Sequence, residues 1–245
     1  MDIREKFLQL TSYTYPHPDE RGVLKYLPEE LVRDNYGNYY LIIEGDDTTM
    51  FTSHLDTADS VQKKVKHVFY TDDNGDEFVR TDGTSILGAD DKSGVTIMLY
   101  MISKAIPGIY YFFVGEECGM VGSGKLKREI MGNSFRNLPH LENVNKCVSF
   151  DRRYYNSIIT RQLGKTSCSD DFADYLISEY DKNNMNMVKD DRGIYTDSAA
   201  FIDIFDNCTN ISVGYSNEHT ASEKQNLTFL EKIAKASCNV NWSGY

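Results

Sequence analysis

Thiols, prolines and positive charge are all scarce in this 245-residue chain, and each scarcity excludes something. The five cysteines (Cys118, Cys147, Cys168, Cys208, Cys238) are odd in number, scattered, and form no C-x-x-C pair. That argues against a disulfide framework and for a reducing compartment. With 5 prolines and 17 glycines the chain is neither collagen-like nor low-complexity. No stretch approaches a membrane span, and the charged start Met1-Asp2-Ile3-Arg4-Glu5-Lys6 lacks the apolar core of a secretion signal. Cytosol is the expected location. Lys and Arg number 26 against 37 Asp and Glu, a net charge of -11. Most of such a surface repels a phosphate backbone, which makes nucleic acid a poor candidate for the main partner.

What is present is the composition of a globular enzyme, 40% hydrophobic and 12% aromatic, with ample chain to bury a core. No repeat or linker divides it, so a single domain over residues 1–245 is the simplest expectation. A helix is expected at Ile3–Thr11, strands at Tyr39–Ile43 and Thr49–Ser53, and a hairpin of Lys66–Tyr70 with Glu77–Arg80 around the turn at Asp72–Asp76. Val95, Met98, Leu99 and Ile102 recur at i, i+3, i+4 and i+7, one face of an amphipathic helix that starts near Asp91. The uninterrupted apolar run Ile109–Val114 reads as a strand buried on both faces. Further helices are expected at Lys125–Met131, Asp170–Tyr180, Ala199–Phe205 and Leu227–Ala236, and strands at Lys146–Phe150 and Ile211–Val213. Alternating buried strands and amphipathic helices imply a three-layer α/β/α domain with a mostly parallel central sheet.

In such sheets the chemistry gathers in the loops beyond the carboxyl ends of the strands. Here those loops hold, in order, His54-Leu55-Asp56, Asp90-Asp91, Glu116-Glu117, Asp151 and His219. Any one of these fragments arises readily by chance among 37 acids; their ordered placement at successive strand ends does not. A pair of divalent ions about 3.5–4 Å apart needs a bridging carboxylate plus N/O ligands to complete each shell. Imidazole and carboxylate without thiolate suit Zn²⁺, with Co²⁺ or Mn²⁺ as alternatives. The pairs Asp46-Asp47, Asp72-Asp73 and Asp190-Asp191 read as solvated turns, and His17, His67 and His140 as plain surface residues.

The blocks resemble those of the dinuclear zinc exopeptidases of clan MH, which include aminopeptidases, peptidase T and related deacylases. Thr81-Asp82-Gly83-Thr84-Ser85-Ile86-Leu87-Gly88-Ala89-Asp90-Asp91-Lys92-Ser93-Gly94 is similar to the bridging-Asp block of peptidase T. Ser53-His54-Leu55-Asp56-Thr57 resembles the family's [GS]-H-x-D-[TV], and Gly115-Glu116-Glu117-Cys118-Gly119 its E-E block. Asp34-x-x-Gly37-Asn38 and Asn217–Glu223 also fit, in the family's order. The resemblance implies a phosphorylase/hydrolase-like zinc exopeptidase fold and two Zn²⁺. His54, Asp90 and Asp151 would hold one ion; Asp90, Glu117 and His219 the other. Asp56 would orient His54, and Glu116 would be the general base acting on a metal-bound water. It further implies a cis Asp90–Asp91 peptide. Ile194–Phe201 resembles the segment S-D-x-x-x-F, but Ser198 stands where many members carry His. Tyr195 is then either a donor to the developing oxyanion or a packing residue.

Peptidase T and the dimeric deacylases insert a lid of roughly a hundred residues before the later blocks. Only 45 residues separate Asp151 from Asp197, so no lid is expected and the compact aminopeptidases are the nearer branch. The expected activity is cleavage of a peptide bond at a free N-terminus. An amidohydrolase or deacylase of a small N-acyl substrate, and a catalytically silent metal-binding module, remain as alternatives. Residue types do not fix the oligomeric state.

Overall fold

A computed structural model describes all residues, 1–245. Five helices form: α1 (Ile3–Leu10), α2 (Ala89–Ser103), α3 (Val121–Asn133), α4 (Asp170–Asp181) and α5 (Leu227–Ser237). Asp2, Ser169 and Asn226 cap α1, α4 and α5, each side chain accepting from a backbone N–H of the first turn. The strands are β1 (Val32–Arg33), β2 (Tyr39–Ile43), β3 (Thr49–His54), β4 (His67–Thr71), β5 (Glu77–Thr81), β6 (Gly108–Phe113) and β7 (Lys146–Arg152). They continue as β8 (Ser157–Ile159), β9 (Arg161–Gln162), β10 (Lys165–Thr166), β11 (Val188–Asp190), β12 (Asn207–Ser212), β13 (Tyr215–Ser216) and β14 (Lys224–Asn226).

Eight strands make the central sheet in the order β1-β2-β6-β3-β7-β12-β8-β11. Its middle, β6-β3-β7-β12, is parallel throughout, and antiparallel pairings lie toward the edges. The expected three-layer architecture is thus present. Alternation along the strands divides the core. Phe51, Tyr110, Phe112, Val148 and Phe150 face α1, α2, α4 and α5, whereas Met50, Ile109, Tyr111, Phe113 and Cys147 face α3 and the turn at Asp197–Phe201. A second, antiparallel sheet, β13-β14-β5-β4, stands beside the first. Its loops carry the Asp90 block and His219.

Three expectations are corrected. Ala199–Phe205 is not an α-helix; a 3-10 turn runs Asp197–Phe201, because Ser123 and Ser149 bind the Asp197 carboxylate and the Ser198 N–H and hold it against β7 and α3. The strand expected at Ile211–Val213 begins four residues earlier, at Asn207. The polar run Asn207-Cys208-Thr209-Asn210 is buried because its side chains are hydrogen-bonded inside: Asn210 Oδ1 accepts from the Asp151 N–H, and Thr209 Oγ1 donates to the Ile159 carbonyl. Asp46 and Asp190 are buried rather than solvated, the first accepting from Thr48 and Thr49, the second from Arg152, Arg192 and Ser157.

Helix α2 and the sheet approach each other closely at Gly94. A Cβ there would collide with the Phe150 carbonyl oxygen, Ser53 Oγ and Asp91 Oδ1. Gly94→Ala therefore pushes α2 away from β3 and β7, and should lower unfolding stability by about 1–3 kcal/mol. Urea denaturation monitored by far-UV dichroism checks this; an unchanged midpoint would contradict the packing described.

Candidate metal centre

All the strand-end residues singled out above converge at the carboxyl end of the parallel strands. His54 ends β3, Asp151 lies near the end of β7, and Glu116-Glu117 follow β6. Asp90 and Asp91 open α2 in non-helical conformations (ψ 105° and 37°), so regular helix begins beyond them, and the Asp90–Asp91 peptide is cis, as the resemblance implied. His219 lies in the loop between β13 and β14, itself in a left-handed conformation (φ +62°).

Two clusters result, His54–Asp90–Asp151 and Asp90–Glu117–His219, and within each the ligand atoms lie within 4.8 Å of one another. Asp90 belongs to both. Its Oδ1 is 3.0 Å from His54 Nε2 and its Oδ2 3.2 Å from His219 Nε2. Asp151 Oδ1 stands 3.9 Å from His54 Nε2, and Glu117 Oε1 2.9 Å from His219 Nε2. Ligands at about 2.1 Å in a tetrahedron are about 3.4 Å apart, so both clusters have the dimensions of a divalent-ion site. Glu117 Oε1 is moreover buried with no donor facing it other than the His219 imidazole, itself a member of the same cluster. The residues fit the pair of ions that the resemblance implies.

Four of the five cluster residues, all but His219, are braced from behind. Asp56 accepts the Glu116 and Glu117 N–H groups on its two oxygens, both at 3.0 Å, while its Oδ1 lies 3.3 Å from His54 Nδ1. One carboxylate thereby fixes an imidazole and the E-E turn together. Lys92, fully buried, donates to the Asp56 carbonyl at 3.0 Å. Three braces carry no role in the sequence reading. Glu223 accepts the N–H groups of Leu87, Gly88 and Asp90 at 2.8, 2.8 and 3.0 Å. Tyr215 Oη donates to Asp151 Oδ1 at 3.1 Å, and Thr196 Oγ1 to Asp151 Oδ2 at 2.8 Å. Glu223 sits in the quoted histidine block, but nothing in the sequence says that its partner lies more than 130 residues away.

A cavity of about 380 Å³ opens over the clusters, lined by Asp90, Glu116, Glu117, Asp151, Tyr195 and His219 among others. Tyr195 is 68% exposed on its rim, so it is not a packing residue. Ser198 is buried beneath the cavity, donating to the Thr209 carbonyl, and does not reach it. His17, His67 and His140 lie outside the site and are half-buried rather than on the plain surface. They bind Glu20, Thr11 and Tyr111 respectively, and His140 also stacks on Tyr40.

Burial first, and then facing carboxylates, pushes the Glu116 carboxyl up to about 8. Asp151 is likewise raised by burial and by Asp91 and Asp90. Burial would raise Asp90 too, but the imidazoles of His219 and His54 outweigh it and hold Asp90 below the usual range. Hydrogen bonds to Asp90 and Glu117 carry His219 up to about 11.

No family model matches the chain. It is 38% identical over 109 residues to YqjE of Bacillus subtilis (strain 168), an uncharacterised protein; the match takes in 40% of this chain and only 28% of that one. Solved structures share the fold over nearly the whole chain. Aminopeptidase PepT from Bacillus cereus superposes with a TM-score of 0.77 at 17% identity, over 97% of this chain and 96% of that one. The Pyrococcus horikoshii TET1 peptidase gives 0.67 at 17% identity over 97% and 98%, and a Staphylococcus aureus tripeptidase 0.68 at 15% over 97% and 96%. The chain has the fold of these peptidases.

Three groups in and beside the metal-free cluster set its response between mildly acidic and mildly alkaline pH. Glu116 (about 8), Asp197 (raised by burial to about 7) and His219 (about 11) each keep, in the folded chain, protons that the unfolded chain has released. Their contribution to stability is present below the unfolded values and is lost as pH rises through the folded ones. Chelator-treated protein should therefore melt at a lower temperature at pH 8 than at pH 5.5, and excess Zn²⁺ should remove that slope. A midpoint that rises over this interval would contradict the electrostatics described.

Proposed function

We propose that the chain is a metal-dependent hydrolase that removes N-terminal residues from peptides, with the whole of residues 1–245 as one catalytic domain. The observation that carries this reading is the division of the Asp90 carboxylate, one oxygen toward His54 and the other toward His219. A two-ion centre needs a bridging carboxylate with one oxygen turned toward each ion's other ligands, which is this disposition. His54, Asp90 and Asp151 would hold one ion and Asp90, Glu117 and His219 the other, Zn²⁺ by their donor set and Co²⁺ or Mn²⁺ as alternatives. The peptidase titles of structures with this fold support the substrate class. The absence of a lid is supported by the segment between Asp151 and Asp197. It forms β8 to β11 and α4, whose strands β8 and β11 extend the central sheet.

When bound, the ions would supply Lewis acidity at the scissile carbonyl and lower the pKa of the attacking water. The chain's own residues do the rest. Glu116 lines the cavity and ligates nothing in either cluster, so its carboxylate is free to take the water's proton and return it to the leaving amine. A purely structural site has no use for such a base. Asp56 keeps His54 Nδ1 engaged, which leaves Nε2 for the ion. Tyr195 on the rim offers its phenol to the developing oxyanion.

Zinc-loaded protein should hydrolyse amino-acid p-nitroanilides and leave N-acetyl amino acids intact; the reverse preference would identify a deacylase, and turnover of neither a binding module. Glu116→Gln should retain the ions and lose about 10²–10⁴-fold in kcat. Full activity in that variant would remove Glu116 from the mechanism.

A further inference from the structure

A second cavity, of about 180 Å³, lies where Val114 leads into the E-E turn, and it shares no lining residue with the cavity over the metal clusters. Three separate elements bring a cation to it: Arg21 from the 3-10 turn Glu20–Tyr26, Arg33 from the end of β1, and Lys125 from the second turn of α3. In a chain of net charge -11 this reverses the local sign. The reversal is not neutralised. No carboxylate lies within 4.0 Å of a charged nitrogen of these three side chains, whereas Arg4, Arg152, Arg153 and Arg192 each face one. The neighbouring acids are engaged elsewhere. Asp34 accepts the Tyr36 and Asn38 N–H groups and the Asn38 side-chain amide. Glu129, four residues beyond Lys125, accepts from Asn133 and Asn137. Buried Glu20 is the one carboxylate in the lining, and its Oε1 accepts from His17 Nδ1 at 2.5 Å and from the Gly115 N–H at 3.1 Å. Three cations against one carboxylate leave two positive charges unmatched.

We propose that this cavity binds a phosphate dianion, free or as the monoester of a small metabolite. The unmatched charge equals that of the ligand, and a concave, one-signed lining focuses its field on the space inside. Guanidinium forks match the oxygens of a phosphoryl group, and Lys125 adds a point charge. The size agrees, being below the about 300–1,000 Å³ of cavities that hold drug-sized ligands. Gly37 (φ +101°) keeps the entrance clear. A Cβ there would stand 3.9 Å from Arg33 Nη2 and 3.8 Å from Val114 Cγ2, so the guanidinium reaches toward Val114 across a bare glycine. Glu20 ties the cavity to the metal centre, because the Gly115 N–H that it holds immediately precedes Glu116. The site does not depend on the peptidase reading.

Calorimetric titration of the zinc-loaded protein with inorganic phosphate, glycerol 3-phosphate and acetate tests this. Saturable binding of a phosphate is expected, with acetate weaker by about tenfold or more because it meets only one of the two charges. Tighter binding of glycerol 3-phosphate than of inorganic phosphate identifies an ester as the ligand; the reverse order identifies the free ion. Arg33 and Lys125 are exposed, so their replacement spares the core. Arg33→Gln and Lys125→Gln should each weaken phosphate by about tenfold or more. Because phosphate can also bind metal ions, the same titration is made on Asp90→Asn, which should keep this binding. Amide hydrogen exchange then locates the ligand, with phosphate expected to slow exchange in peptides covering residues 17–37. Absence of phosphate binding, equal affinity for acetate, or unchanged affinity in both Arg33→Gln and Lys125→Gln overturns the proposal. Loss of binding in Asp90→Asn, with protection confined to peptides carrying His54, Asp151 or His219, also overturns it and assigns the phosphate to the metal centre.

Discussion

Like charge held at close quarters is the constraint on which this molecule turns. Asp90, Glu116, Glu117 and Asp151 line one cavity with only two imidazoles among them, His54 and His219. Burial and mutual repulsion push Glu116, Glu117 and Asp151 above their ordinary range. A chain folding for stability alone would not gather these groups, since each buried charge is costly unless paired. Their convergence is the arrangement a cation site requires, and these groups could hold metal ions.

The rest of the structure keeps the cluster from relaxing. Asp56 ties the E-E turn to the strand that ends in His54, Glu223 cradles three N–H groups of the Asp90 turn, and Tyr215 with Thr196 clamps Asp151. These braces come from both sheets, which explains why the small antiparallel sheet stands where it does. Its β14 is preceded by the loop bearing His219 and Glu223, and its β5 leads into the Asp90 turn. The parallel core supplies the other cluster residues from strand ends, where side chains leave the apolar layers and meet solvent.

Much of this was legible in the sequence, for a physical reason. A ligand at a strand end follows an apolar run, so His54 after Met50-Phe51, Glu116-Glu117 after Ile109–Val114 and Asp151 after Val148-Ser149-Phe150 announce themselves. The braces do not. Glu223, Tyr215 and Thr196 act over distances in sequence that no local pattern reports. Burial of polar groups was equally hidden. Asp190 reads as a solvated turn until Arg152 and Arg192 close on it, and the polar first half of β12 gives no strand signal until its Asn and Thr side chains find partners inside.

Metal stoichiometry measures the central claim most directly. Equilibrium dialysis against Zn²⁺, with elemental analysis, should give two ions per chain for the natural sequence. Asp90→Asn, which leaves the fold and all other ligands in place, should lose tight binding of both. Retention of two tightly held ions by that variant, or none by the natural chain, would contradict the account.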